Sequence, residues 1–592
     1  MASTGKAFDF KLFRRLLEYT NKYRFTFYFV AFSAIAMAGL AVLSPAILEI
    51  TINEAMFNKD GGLLQFYVVL MLVVLVVEVL FQFGFIYFAN WLGQHVIRDI
   101  RVKLFRLMVG FKMKYFDTSA VGRLTTRAVN DIETISSIFS QGLFMIISDL
   151  LKMFVIAGFM VWRSWELALI VFSILPFIIY ATRVFQRAMK SAFEEVRNQV
   201  ANLNSFVQER ITGMKIVQVF AQEDIEYQAF QEINNKHKKA WIKTVWYNSI
   251  FFPIAEMSGS VAIGLMVWYG GLNAVAEQLA GPGEITLALI TIFIQLTQML
   301  FRPLRQIADK FNTLQMGMVA ANRVFEILDT EAHIANDGTV KMGDIQGRIE
   351  FDTVHFGYLK EEEVIRGISF TVQPGETIAL VGSTGAGKST IINLLSRFYE
   401  INSGTISVDG VPIDEYELGS LRNHIAVVLQ DVFLFADTIF NNITLGDASI
   451  SEEEVILAAK EIGVHEFISS LPGGYQYNVK ERGTMLSSGQ RQLIAFLRAY
   501  VSKPSILVLD EATSSVDSYS EEMIQNATDK ITKDRTSIVI AHRLATIKKA
   551  DQILVMDAGK IVERGTHKEL LENEDGFYKN LYEVQFMAEE IT

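Results

Sequence analysis

The chain has 592 residues, of which 51% are hydrophobic, and a net charge of −11; that length exceeds one ordinary domain. The acidic balance and the lack of a basic tract argue against nucleic acid as a partner, because phosphate-tracking surfaces are basic. Absence of cysteine excludes disulfides, thiolate catalysis and cysteine-ligated zinc, and it fits a reducing compartment.

Residues 8–22 place Phe8, Leu12, Leu16 and Tyr19 on one helical face with basic groups elsewhere. That is the pattern of a helix lying in a membrane interface, and an amphipathic helix packed on protein would read the same way. The apolar run that follows is too long for a cleavable signal sequence. Six apolar stretches then appear, near 25–50, 62–88, 140–162, 165–185, 245–270 and 284–305. Each is long enough to cross a hydrocarbon core of about 30 Å as a helix. The charged segments between the second and third spans and between the fourth and fifth read as helical extensions. Lysine and arginine concentrate on those segments and at the N-terminus (Lys11, Arg14, Arg15, Lys22, Arg24), whereas the opposite loops offer only Lys59 and Arg163. Short basic loops stay cytosolic, so both termini are expected on the cytosolic side of a plasma or inner membrane.

Residues 306–330 keep a helical pattern and 331–348 turn polar with two glycine-containing breaks, so 323–348 reads as a linker between a membrane domain (1–322) and a second domain (349–592). From Ile349 onward the strand-like runs IEFDTVHF, TIALVG, IAVVLQ, SILVLD, TSIVIA and QILVMD alternate with helical ones. Alternation of this kind signals an α/β domain with a largely parallel sheet. The expected fold class is a six-helix transmembrane domain fused to an α/β P-loop domain.

The strongest local signal is Gly382-Ser383-Thr384-Gly385-Ala386-Gly387-Lys388-Ser389, followed by Thr390, between the strand TIALVG and a helix. Glycines let the backbone curl so that successive N–H groups face phosphate oxygens, and the helix presents its positive end to the same anion. Lys388 is expected to reach the β- and γ-phosphates of a nucleotide, and Ser389 to ligate magnesium. The strand ILVLD ends in Asp510 and Glu511. Asp510 is expected to hold Mg²⁺ through water and Glu511 to orient or deprotonate the attacking water.

With these two motifs in place the second domain resembles the ATP-binding cassette of ABC transporters, and the membrane half resembles the type IV exporters, also called type I exporters. The likeness covers essentially the whole chain. Leu486-Ser487-Ser488-Gly489-Gln490 is similar to the family's signature, which implies that Ser487 caps the γ-phosphate of ATP held by another subunit. Tyr358 matches the aromatic that stacks on adenine, and Gln430 the residue linking magnesium and nucleophile to the membrane domain. Val479–Gly483 resembles the exporter-specific loop, Ser515 and Asp517 the loop after the acidic strand, and His542 the switch histidine that contacts the γ-phosphate. In the membrane half, Tyr115-Phe116-Asp117 with Gly122–Arg127 and Asp131 resembles the first coupling segment, and Glu209–Glu223 the second. The implied cofactors are ATP and Mg²⁺, and the implied activity is an ATPase coupled to transport.

One cassette with no internal second copy supplies half of each ATP site, so the resemblance implies a second half-transporter chain as partner. Ser488 stands where the signature has glycine, and RQLIAFLRA where many homodimeric exporters have RQRIAIARA, as in members that pair with a different subunit. The intact Glu511 and His542 let the chain contribute hydrolytic residues in either a homodimer or a heterodimer, and the homodimer is the favoured expectation. Glu49, Glu78 and Glu256 lie in or near spans, where a charge faces a cavity or a partner; they read either as contacts for a cationic drug or as hydrated or paired groups. Phe251, Phe252, Met257 and Met266 line an amphiphile cavity or pack helices. The expected substrate is an amphiphilic small molecule or lipid, with a specific peptide or glycolipid and a non-transport regulatory ATPase as alternatives.

Overall fold

The computed structural model describes residues 9–280, 286–334, 336–343, 345–359, 361–510, 518–541 and 543–585. The chain forms two compact units, one of residues 1–109 and 121–330, the other of residues 110–120 and 331–592.

The first unit is helical. Asp9 caps the helix Phe10–Glu18, its carboxylate accepting from the Lys11 and Leu12 N–H groups. Leu16 of that helix is buried and Phe10 exposed, while Arg15 pairs with Asp329 at 2.6 Å and lies 4.2 Å from the centre of the Phe325 ring. The helix therefore packs on protein along one side and leaves an aromatic outward.

Among the described residues, five helical stretches are long and apolar enough to cross a membrane: Phe10–Met56, Gly61–Val109, Val121–Arg163, Trp165–Thr212 and Glu223–Asn273. A shorter apolar one, Leu287–Pro303, stands at the place of the expected sixth. The helix Gly61–Val109 has 49 residues, about 73 Å at the usual rise, more than twice a bilayer core. The charged half of that helix, as its sequence pattern requires, must extend outside the hydrocarbon. Leu72, Val73, Val76 and Phe83 on its apolar half are exposed, as lipid-facing residues are. A core of Ile156, Met160, Val171, Met266, Phe293 and Leu296 holds the bundle together. Two helical segments approach closely at Gly317, where a Cβ would stand 2.2 Å from Ile138 Cγ1.

Among its described residues the second unit has ten strands in two sheets. Strands β1 (Ile349–Phe356), β2 (Ile365–Val372), β4 (Ser403–Val408) and β5 (Val411–Pro412) form an antiparallel sheet. The larger sheet has the order β10-β9-β3-β8-β7-β6, built from β3 (Thr377–Gly382), β6 (Ile425–Val428), β7 (Ile506–Asp510), β8 (Thr536–Ile540), β9 (Gln552–Asp557) and β10 (Lys560–Gly565). Every residue of β7 and β8 is buried, as expected of parallel strands covered on both faces. Leu380 of β3 and Asp510 of β7 both register with Ile540 of β8. Their carboxyl ends therefore lie at one level, one strand apart, where open α/β sheets place their ligands.

Candidate functional site

From β3 the chain turns through the glycine loop into the helix Lys388–Leu395. Gly382 has φ +151° and a Cβ there would meet Met556 O at 2.1 Å, so β3 and β9 can close only on glycine. Gly387, with φ +101°, precedes the helix in a left-handed conformation. Ser383, Thr384 and Gly385 are exposed at the rim, while Ala386 is buried beneath them. Lys388 folds back over the loop, its Nζ donating to Gly382 O at 2.7 Å and Ser383 O at 3.0 Å. Burial pushes the Lys388 ammonium below the usual lysine range, and Asp510 opposes that shift. An ammonium held by carbonyl oxygens in a half-dry loop gains most when an anion supplies countercharge, and a phosphate is the anion this backbone curl fits.

Ser389 Oγ donates to Asp510 Oδ2 at 3.3 Å. A hydroxyl beside a carboxylate supplies hard oxygen ligands of the kind Mg²⁺ takes together with phosphate and water. Tyr358 stands over the same helix, its hydroxyl 3.2 Å from Thr390 Oγ1 and accepting from Asn393 Nδ2 at 3.3 Å. Tyr358, Lys388, Ser389, Thr390 and Asp510 are thus brought together from three distant stretches of sequence.

Other expected residues sit on other elements, and β6 ends beside β7, Val428 registering with Leu509 one residue before Asp510. Gln430 is exposed just past β6. Ser487 caps the helix Ser488–Val501, accepting from the Gln490 N–H at 3.2 Å, and Gln490 Oε1 accepts from the Ser487 N–H at 3.0 Å. This reciprocal box satisfies two end groups within its own chain. It leaves Ser487 and Ser488 exposed and Gly489 buried. Glu511, Ser515, Asp517 and His542 lie outside the described residues.

Two residues that motif reading passed over organise the stretch after Gln430. Asn442 is 0% exposed; its side chain accepts from Phe435 N at 2.8 Å and donates to Phe435 O and Thr438 O at 3.0 Å each. Arg498, on the signature helix, donates from Nε to Asn442 O at 2.8 Å. No local pattern announces such a pair, because each partner lies tens of residues away. A separate groove of about 1000 Å³ is lined by Arg422, Leu445, Leu457, Glu461, Arg498 and Lys503, and neither Lys388 nor Asp510 borders it.

In the membrane unit Glu49 is buried and ion-paired with Arg163, so the pairing alternative holds for it in this conformation. Asp149 pairs with Lys310, and Lys152 lies among the charges of Glu78, Asp149, Lys310 and Arg302. Glu256 is exposed. Phe251 and Met266 are buried, Phe251 stacking on Phe185 at 4.0 Å; Phe252 and Met257 are exposed. The expected first coupling segment divides between the units: Tyr115–Asp117 groups with the strand-bearing unit, Gly122–Arg127 and Asp131 with the helical one.

Two family models match, the ABC transporter transmembrane region over residues 27–304 and the ABC transporter domain over residues 365–514. The uncharacterized ABC transporter ATP-binding protein YknV of Bacillus subtilis is 34% identical over 585 residues, covering 98% of this chain and 96% of that protein. This chain belongs to the ABC transporters. An ATP-dependent lipid A-core flippase of Haemophilus influenzae is 37% identical over 559 residues, 94% of this chain and 93% of that protein. The putative multidrug export ATP-binding/permease protein YgaD of Bacillus subtilis is 32% identical over 580 residues, 97% of this chain and 99% of that protein. The ABC transporter is of the exporter half-transporter kind, one membrane region and one ATPase cassette on a single chain, with ATP and Mg²⁺ as the cassette's ligands.

Proposed function

We propose that this half-transporter moves amphiphilic molecules or lipids from the cytosolic side of an inner membrane outward, as a homodimer with its cassette in the cytosol. The observations that carry the reading are the exposed Ser487 cap and the Lys388, Ser389 and Asp510 cluster of the same cassette. Two copies in two-fold symmetry would each lend Ser487 to the other's phosphate loop. The relatives named as lipid A-core flippases and as a putative multidrug exporter support an amphiphilic cargo.

ATP with Mg²⁺ supplies the phosphoanhydride bond whose cleavage drives the cycle. Tyr358 holds the base and Lys388 the β- and γ-phosphates. Ser389 and Asp510 would hold the Mg²⁺, with Gln430 as a further ligand, and the ion would neutralise phosphate charge; Glu511 orients or deprotonates the attacking water, and Asp517 and His542 contact the nucleotide from the partner-facing side. Shifting an inward-open population from 99:1 to 1:99 takes about 5.5 kcal/mol of differential binding, within reach of several charge-assisted phosphate contacts across a dimer. Hydrolysis removes that bias and resets the pump. A second reading, pairing with a different subunit, draws on Ser488 in place of glycine and on RQLIAFLRA after it.

The deciding experiment reconstitutes this chain alone in lipid vesicles and compares ATPase and fluorescent-lipid translocation with those of Glu511→Gln. Turnover and translocation that both fall by about 10²-fold or more in the variant support the homodimeric exporter. An inactive but folded wild-type preparation would favour a missing second subunit, and turnover unchanged in Glu511→Gln would remove the catalytic assignment.

A further inference from the structure

The nucleotide-side aromatic Tyr358 does not stand alone. Its ring meets Tyr399 edge-on at 5.0 Å and 89°, and Phe356 backs both at 4.9 and 5.7 Å. Phe356 is buried and Tyr399 partly so, which makes the triangle a packed cluster whose members move together. The hydroxyl of Tyr399 points the other way and donates to the Asp117 carboxylate. Asp117 sits on the short helix Met113–Thr118 in the segment 110–120, the piece of the chain's first half that groups with the cassette.

That segment is held at both ends. At its start the Lys112 N–H donates to Ala332 O at 2.6 Å, Phe111 bridges to His333, and His333 Nδ1 lies 3.0 Å from Gly110 O. Near its end the Tyr399 hydroxyl grips Asp117. Burial first, and the bond to Asp117 second, push the Tyr399 phenol well above its ordinary range, so it remains a protonated donor at every working pH. The start of the segment is fastened to the linker; its end is fastened to Tyr399, whose ring packs edge-on against Tyr358.

We propose that Tyr399 is a positioning residue that ties the Tyr358 ring to Asp117, so that occupancy of the cassette by a purine base tightens the segment 110–120. The inference rests on the reading of Tyr358 as the base-stacking residue. A base that stacks on Tyr358 restrains the ring, the ring restrains Tyr399 through their edge contact, and the hydroxyl passes the restraint to Asp117. Coupling is reciprocal: a segment locked through Asp117 holds Tyr358 in place for the base. Phosphates alone, held by Lys388 and the glycine loop, reach Tyr358 only through its hydroxyl contacts with Thr390 and Asn393 and leave its ring face uncovered.

The test uses the full-length transporter in lipid nanodiscs, carrying Glu511→Gln throughout to retard hydrolysis. Amide hydrogen exchange is followed in the peptide spanning 110–120 and in the phosphate-loop peptide, with no ligand, with MgATP and with inorganic tripolyphosphate plus Mg²⁺. With Tyr399 present, MgATP should slow exchange in 110–120 by about threefold to tenfold, the range one hydrogen bond can transmit, and tripolyphosphate should not. Both ligands should protect the phosphate loop. In Tyr399→Phe, which keeps the ring, and in Asp117→Asn, MgATP should still protect the phosphate loop and no longer protect 110–120. Persistence of the ATP-dependent protection in both variants overturns the proposal, as does equal protection of 110–120 by tripolyphosphate. Tyr358→Ala separates the two readings. If it leaves the MgATP affinity unchanged, base stacking itself is wrong and the link falls with it; if it weakens MgATP but not tripolyphosphate, any failure of the Tyr399 variants belongs to the link alone.

Discussion

Replacing Asn442 by leucine tests how the cassette holds the stretch that follows Gln430. The leucine is close in size to asparagine, so the perturbation is chemical more than steric. It strands the Phe435 N–H, which the fully buried amide satisfies at 2.8 Å, and removes one of two donors from the Phe435 and Thr438 carbonyl oxygens, which keep the Asp437 and Asn442 backbone N–H groups. A buried backbone group left without a partner costs about 1–3 kcal/mol, and the carbonyls, with two lone pairs and neighbouring donors, sit at the low end. The sum is about 2–4 kcal/mol of cassette stability. For a unit of this size each kcal/mol moves Tm by about 2–4 °C, so the cassette transition should fall by about 4–16 °C. Differential scanning calorimetry of the reconstituted protein reads that shift, and ATPase assayed below the lowered transition reads the consequence for Gln430. Turnover should drop by about tenfold while tripolyphosphate binding at the phosphate loop is retained, because Lys388 and Gly382 do not touch Asn442. Asn442→Asp, which keeps the acceptor for Phe435 N, should also be destabilising. A Tm shift under about 2 °C for the leucine variant would refute the claim that this amide organises the loop.

Lys388→Met should abolish hydrolysis and weaken ATP by at least about tenfold in equilibrium binding. Without nucleotide the same variant should change the pH dependence of stability. Burial holds the Lys388 ammonium below its ordinary pKa of 10.5, so between its folded and unfolded values the unfolded chain binds more protons and native stability rises with pH. That slope should flatten in Lys388→Met, measured by denaturation as pH approaches the ordinary lysine range. Glu49→Gln leaves Arg163 without its carboxylate, and because Arg163 is 37% exposed the loss should be about 1–3 kcal/mol, less than for a wholly buried pair. A double-mutant cycle with Arg163→Gln should recover most of it, and additive losses would show that the two residues do not interact. Gly317→Val should disrupt the membrane unit, since even a Cβ would lie 2.2 Å from Ile138 Cγ1. Loss of the monodisperse peak in detergent size exclusion reads the effect, and normal elution would refute the close approach.

Much of this protein is legible without coordinates. The apolar spans follow from runs longer than a bilayer core, because an uncharged backbone in lipid has no alternative to the helix. The strand-loop-helix order around Gly382–Ser389 and the carboxylate ending of ILVLD announce a nucleotide fold, since glycine, lysine and hydroxyl at that spacing do one job. The capping box of Ser487 and Gln490 is likewise local, and the structure forms it.

Contacts across the chain were settled elsewhere. That Glu49 meets Arg163, that Asn442 is gripped by its own turn and grips Arg498, and that Tyr399 joins Tyr358 to Asp117 each depend on strand register and helix packing. So does the division of the first coupling segment at Ala120, which its continuous helical pattern does not betray. Sequence determines which groups can be buried or charged and what local hydrogen bonds they can make within a few residues. Only the tertiary structure decides which distant group answers a buried charge or amide, because desolvation makes that partner energetically necessary while leaving its position in the chain unspecified.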